Sequence, residues 1–210
     1  MVSKKVKKKE DSQLAWILFI IGLVFAGFLV TYFVIVPALS TFNYAGVKWE
    51  KIDQGNLELY HSRFSPHENF VYNAYFRTDP RKNNISLGET SFGFFSNAII
   101  SLDVDSEDCG GANVIGNKML GEFLTSLNIQ VSGALNDEET AEELNLSFAD
   151  CSSSAIGRNV FLVKKSEEPS IERDSVHDSC YLINVGNCEN IKTVERFISG
   201  VLLQIEEEAK

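Results

Sequence analysis

The chain lacks nearly every short signature that would announce a chemistry. It has no C-x-x-C pair and no close Cys/His spacing, so a compact zinc site has nothing to build on. No G-x-S-x-G elbow is present to hold a serine nucleophile, and no G-x-G-x-x-G or P-loop lysine to cradle phosphate. The acidic stretch with Asp103, Asp105, Glu107 and Asp108 lacks the ligand spacing of an EF-hand loop and reads as solvated rather than calcium-binding. Gly110-Gly111 beside it could present N–H groups to an anion, but the flanking acids would repel phosphate. Basic residues are sparse after the first nine positions and the net charge is −10, which excludes the basic footprint that nucleic acid requires. No metal, cofactor or catalytic set is legible.

One absence is positive information. No charged residue occurs between Asp11 and Lys48, and the run Leu14 to Leu39 is apolar almost throughout. About 20 apolar residues suffice to cross the roughly 30 Å hydrocarbon core of a bilayer. A helix satisfies its own backbone there, which lipid demands. Trp16 at one end and Tyr32, Phe42 and Tyr44 at the other suit interfacial belts. The reading is a transmembrane helix at 14–39, preceded by a basic cytoplasmic tail at 1–13. Lys4, Lys5, Lys7, Lys8 and Lys9 precede the run, and only Lys48 and Lys51 closely follow it, which puts the N-terminus inside and the rest outside. The lysines could also attract anionic lipid headgroups. A cleavable signal sequence is the rival, with Ala38-Leu39-Ser40 as a cleavage site, but its apolar core is usually much shorter. No cysteine near the run offers a lipid anchor.

Cysteine is missing from the tail and the span. All four, Cys109, Cys151, Cys180 and Cys188, lie in the outer part, which suggests two disulfides in an exported domain. If Tyr181 to Val185 is one strand, its flanking cysteines stand about 26 Å apart, beyond the roughly 7 Å reach of a disulfide. Cys109 and Cys188 each lie between a strand and a helix. This favours Cys109 with Cys188 and Cys151 with Cys180. The other arrangement, Cys109 with Cys151 and Cys180 with Cys188, needs a turn at Val185-Gly186-Asn187. Two glycosylation sequons, at Asn84 and Asn145, are further candidates for modification outside.

A juxtamembrane linker is expected at 40–46 and an exoplasmic domain at 47–210. Val47 to Ile52 and Leu57 to Phe64 form a hairpin around Gly55-Asn56, with Leu57, Leu59 and His61 alternating against Glu58 and Tyr60. Pro66 should break the second strand. Further strands are expected at Phe70 to Arg77, Ile85 to Leu87 and Phe92 to Val104. Ala112, Ile115, Met119, Leu120, Phe123, Leu124 and Leu127 then recur at helical spacing, Asn128 stops the helix, and Ile129 to Leu135 is a strand in parallel crossover. Asp137 caps a short helix. Asn159 to Lys165 and Ser170 to Arg173 suggest a hairpin around Pro169, followed by Tyr181 to Val185. Ile191, Val194, Ile198, Val201, Leu202 and Ile205 share one face of a last helix. The fold class is α+β, or α/β, with a mixed sheet and at least two packed amphipathic helices.

YHSRF at Tyr60 to Phe64, FVYNAYFRTDPR at Phe70 to Arg81 and CYLINVGNC at Cys180 to Cys188 resemble small uncharacterised archaeal single-pass membrane proteins. That resemblance implies one N-terminal span before a similar outer domain and carries over no catalytic residue. The leading expectation is a non-catalytic binding or envelope-assembly domain, with the lipid bilayer and a cell-surface protein as partners. The dense aromatics Tyr60, Phe64, Phe70, Tyr72, Tyr75 and Phe76 suit strand packing better than a binding surface. The alternative is an exoplasmic hydrolase, a Ser/His/Asp set drawn from the histidines His61, His67 and His177, the carboxylates Asp174 and Asp178, and the serines Ser179, Ser152, Ser153 and Ser154.

Overall fold

The computed structural model describes residues 3–35, 38, 40–67, 70–88, 91–103, 111–186 and 188–208. The chain divides into two compact units, Met1–Phe42 and Asn43–Lys210.

The first unit is dominated by α1, Ser3–Val30, which continues as a π-helical turn over Thr31–Ile35. Within it, Ala15–Ile35 is 21 residues long, apolar enough to cross a membrane, and entirely unburied. At 1.5 Å per residue it reaches about 32 Å, a match to the hydrocarbon thickness. Val36, Pro37 and Leu39, the expected end of the span, lie outside the described residues. The lysine-rich segment is not a loose tail; it belongs to the same helix from Ser3 onward, consistent with the good helix propensity of lysine.

From Thr41 onward the chain forms two sheets. Strands β1 (Thr41–Tyr44), β2 (Val47–Gln54), β3 (Leu57–His67) and β4 (Phe70–Phe76) lie in sequence order. The segment expected as a linker therefore contributes an edge strand. β2, β3 and β4 are antiparallel, and Tyr60 stands opposite Phe76, Ser62 opposite Ala74, and Phe64 opposite Tyr72. The buried face carries Trp49, Tyr60, Ser62, Tyr72, Ala74 and Phe76, while Leu57 is exposed. From Tyr60 onward the alternation puts the Tyr60 face inward, while Leu59 on the other face is buried too, so the expected alternation holds only in part. β3 also runs through Pro66, and a register shift between Phe64 and His67 accommodates it.

The second sheet contains β5 (Asn97–Leu102), β6 (Gln130–Leu135), β7 (Arg158–Ser166), β8 (Ser170–Arg173) and β9 (Cys180–Gly186), in the order β6-β5-β7-β9-β8. β6, β5, β7 and β9 are parallel, and only β8 runs against its neighbour. The expected β7–β8 hairpin does not form. β9, buried at six of its seven positions, lies between them, because a strand without a polar face belongs inside a sheet. Phe92 to Phe95, the start of the strand expected at Phe92 to Val104, is held instead by side chains. The amide of Gln204 bonds both backbone groups of Phe92, the Tyr181 hydroxyl both of Gly93, and the Asn159 amide bonds the Gly93 carbonyl and Phe95 N–H. Ile85 to Leu87 likewise forms no strand beyond an isolated bridge from Ser86 to Ser170.

Helices α2 (Ala112–Ser126) and α4 (Asn190–Glu208) pack together, and α3 (Glu138–Glu143) is a short turn capped by the Asp137 carboxylate. α2 and α4 form a layer between the sheets. A relay of rings crosses it, with Tyr72 against Phe123 at 5.5 Å, Phe123 against Phe197 at 6.2 Å and Phe197 against Phe161 at 5.6 Å between centroids. Burying one such side chain contributes about 1.5–3 kcal/mol. Sheet cover on both sides explains why α4 buries Asn190, Thr193, Glu195 and Ser199 as well as its apolar stripe.

Two consequences can be measured. The Glu195 carboxylate accepts hydrogen bonds from the N–H groups of Arg77 and Thr78, and burial pushes its pKa up from an ordinary 4.5 to about 7. The folded state therefore holds this proton more tightly than the unfolded chain. Its contribution is complete below pH 4.5 and is lost as pH rises to about 7, which amounts to about 3 kcal/mol. Glu195→Gln should remove that part of the pH slope in denaturant unfolding. At Gly116 an added Cβ would lie 1.7 Å from the Asn190 Oδ1 atom. Gly116→Ala should therefore cost about 2 kcal/mol or more in the same assay.

Candidate functional site

The carboxyl ends of β5 and β6 meet the first turn of α2 and the short α3. Between them lies a cleft of about 490 Å³, lined by Leu102, Asp103, Gly111, Asn113, Val114, Asn117, Leu135, Thr140, Leu144 and Leu146. Each wall follows from local sequence. Gly111 takes a left-handed backbone at φ 71°, a conformation glycine adopts at no steric cost. It turns the chain into α2 without a side-chain cap, and Asn113, Val114 and Asn117 of that helix line the cleft. Asp137 accepts from the Thr140 N–H and fixes the start of α3. Asn145, at φ 52°, turns the chain after it so that Leu144 and Leu146 flank the opening.

The lining is aliphatic with a few amides. Val114, Leu144 and Leu146 are 71%, 59% and 55% exposed, a cluster of apolar rim residues rather than a solvated edge. Asn113 is the anomaly, since its Oδ1 and Nδ2 atoms are both buried and both lack a hydrogen-bond partner. Leaving such a group unmatched costs about 1–3 kcal/mol. Asn117 accepts from the Asn190 side chain at 3.5 Å. The sequence reading found the apolar face of α2 and missed these amides. Their signal was present, as two asparagines four residues apart at the start of a crossover helix.

The other candidates are not gathered there. His177 Nδ1 lies 2.9 Å from Asp174 Oδ1, and the same oxygen accepts from the N–H groups of Val176 and His177. Burial works to raise the Asp174 pKa, but these donors outweigh it and hold the carboxyl below its ordinary value. The pair shapes a turn, and among the described residues no serine hydroxyl bonds His177. The Ser152 and Ser153 hydroxyls donate to Asp150 instead. His61 stacks on Tyr75 at 4.6 Å, and the His67 side chain lies outside the described residues. Among the described residues no three His, Cys, Asp or Glu side chains converge on a metal position. Asp105, Glu107, Asp108 and Gly110 lie outside them. Of the aromatics, Tyr60, Tyr72 and Phe76 are core, while Phe70 and Tyr75 are exposed.

Cys151 and Cys180 form a disulfide with their Cα atoms 5.3 Å apart. It ties the 3-10 turn Cys151–Ser153 to the start of β9. Cys188 is also disulfide-bonded, and its expected partner Cys109 lies outside the described residues. Both sequon asparagines, Asn84 and Asn145, are exposed. Compared with known protein families, curated proteins and solved structures, the chain matches none, so the chemistry of the site rests on the cleft itself.

Proposed function

We propose that this protein is a membrane-anchored exoplasmic binding domain whose cleft at the ends of β5 and β6 takes part of a protein partner. The observation that carries the binding reading is the cleft, with Val114, Leu144 and Leu146 exposed around it. Pockets of this size with apolar walls and a few placed polar groups are the usual form of ligand sites. The anchor reading is supported by the unburied apolar helix Ala15–Ile35, and the outer location by the disulfide, which persists in oxidising compartments. The lysine excess before the helix favours an N-terminus inside. The resemblance to archaeal single-pass proteins points the same way. A hydrolytic reading has the His177–Asp174 pair in its favour, and a serine-directed covalent label would reveal it.

Cell fractionation tests the placement. The full chain should pellet with membranes, resist an alkaline carbonate wash, and be digested by protease added to intact cells. Recovery in the soluble fraction, or a mature protein beginning at Thr41, would remove the anchor. Survival of the domain in protease-treated whole cells would reverse the orientation.

A further inference from the structure

The two sheets end in four edge strands, and these are not alike. β1 and β8 are four residues long, and β8 carries Glu172 and Arg173. β6 contains Gly133, and its end is bordered by Ser147 and Phe148. Short length, charge and a covered end all keep an edge from pairing with another chain. β4, FVYNAYF, has seven residues and no charge, proline or glycine. No strand lies beyond it among the described residues, so backbone N–H and C=O groups of this edge point outward. Tyr72, Ala74 and Phe76 are buried on its inner face, while Val71 and Tyr75 on the outer face are 48% and 49% exposed. The space alongside is open. A groove of about 540 Å³ runs between β4 and the flank of α2, where Gly121 leaves room and Lys118 and Glu122 supply one charge of each sign.

The residues of β4 specify which strand fits. Set antiparallel to itself about Asn73, β4 places Val71 opposite Tyr75 of a second copy on the outer face, twice over. On the inner face it places Tyr72 opposite Ala74, again twice, a large side chain beside a small one. A β-branched residue facing an aromatic one is a favourable cross-strand pair, and an interface about a two-fold axis must be complementary to itself in this way. The strand also brings no like charges together, which matters in a chain of net charge −10. We propose that two copies of this chain join along β4, centred on Asn73, so that their four-stranded sheets become one continuous sheet. Backbone hydrogen bonds along the edge hold the pair, and residues 71 and 75 set its register. The cleft shares no residue with this edge, so the pairing goes beyond the binding reading and does not rest on it.

Cysteine crosslinking of the full chain in membranes tests this. Asn73→Cys, placed on the axis, should form an inter-chain disulfide under mild oxidation, because residues facing each other across antiparallel strands lie within disulfide reach. Asn56→Cys, exposed in the turn between β2 and β3, should not. Val71→Lys should lower crosslinking of Asn73→Cys at least about ten-fold. Adding Tyr75→Glu should restore it, since each lysine then faces a glutamate of the other copy. Resistance of the domain to trypsin checks that each variant is folded. If Val71→Lys unfolds the domain, the comparison of positions 73 and 56 decides alone. Equal crosslinking at the two positions, no crosslink at 73, or crosslinking that Val71→Lys leaves unchanged would overturn the pairing. A defect that Tyr75→Glu fails to rescue would overturn its centre at Asn73.

Discussion

The constraint on which the domain depends is that its helix layer is covered on both sides. A helix on the surface of an α/β protein needs one apolar stripe, and α4 has one. One flank of that stripe carries Glu195 and Ser199, which in an ordinary two-layer arrangement would border water. Here the β1–β4 sheet covers that side, so polar groups must find partners within the protein. Glu195 does so by accepting from the N–H groups where the chain leaves β4. Those two N–H groups have no strand neighbour beyond them, and the carboxylate supplies what the ladder does not. Covering the helix and terminating the sheet are therefore one event. The Ser199 hydroxyl remains buried without a partner, a cost that the flanking apolar contacts must offset.

The cleft depends on the same layering. α2 begins where β5 ends, and its first turn faces the ends of β5 and β6 rather than the buried helix pair. Residues deeper in α2, Leu120, Phe123 and Leu124, are fully buried. Val114 and Ile115, one or two turns earlier, are exposed. The helix thus passes from core element to cleft wall along its own length, with Asn113 and Asn117 at the crossover. The site needs no separate loop architecture, because the sheet, the helix start and the short α3 already converge.

Much of this was legible in the chain. The apolar run, the α2 and α4 periodicities, the Asp137 cap and the Gly55-Asn56 turn are local signals, and each produced the element it announced. What was hidden was non-local. The inversion of the β7–β8 hairpin depends on β9, which is distant from β7 in sequence and buried on both faces. The 92–95 segment reads as strand by composition, yet its backbone is bonded by Tyr181, Asn159 and Gln204, whose arrival no local window records. The cover of the β1–β4 sheet over α4 was invisible because an amphipathic pattern advertises one buried face and is silent about the rest of the helix. The cleft amides were overlooked for a related reason: asparagine on a helix reads as solvent-facing until tertiary neighbours close over it.

The order of strands in the second sheet bears on how the chain can acquire its form as it is made. β9 separates two segments that precede it, and α4, the most enclosed helix, comes last of all. Until those final stretches have emerged, β7 presents an unpaired edge and the phenylalanines that await Phe197 have nothing to close against. A polypeptide that closes its core with an element made after all the strands stays adhesive until that element has emerged. Its assembly must therefore wait for α4, and a stop before it leaves an open sheet rather than a smaller working domain.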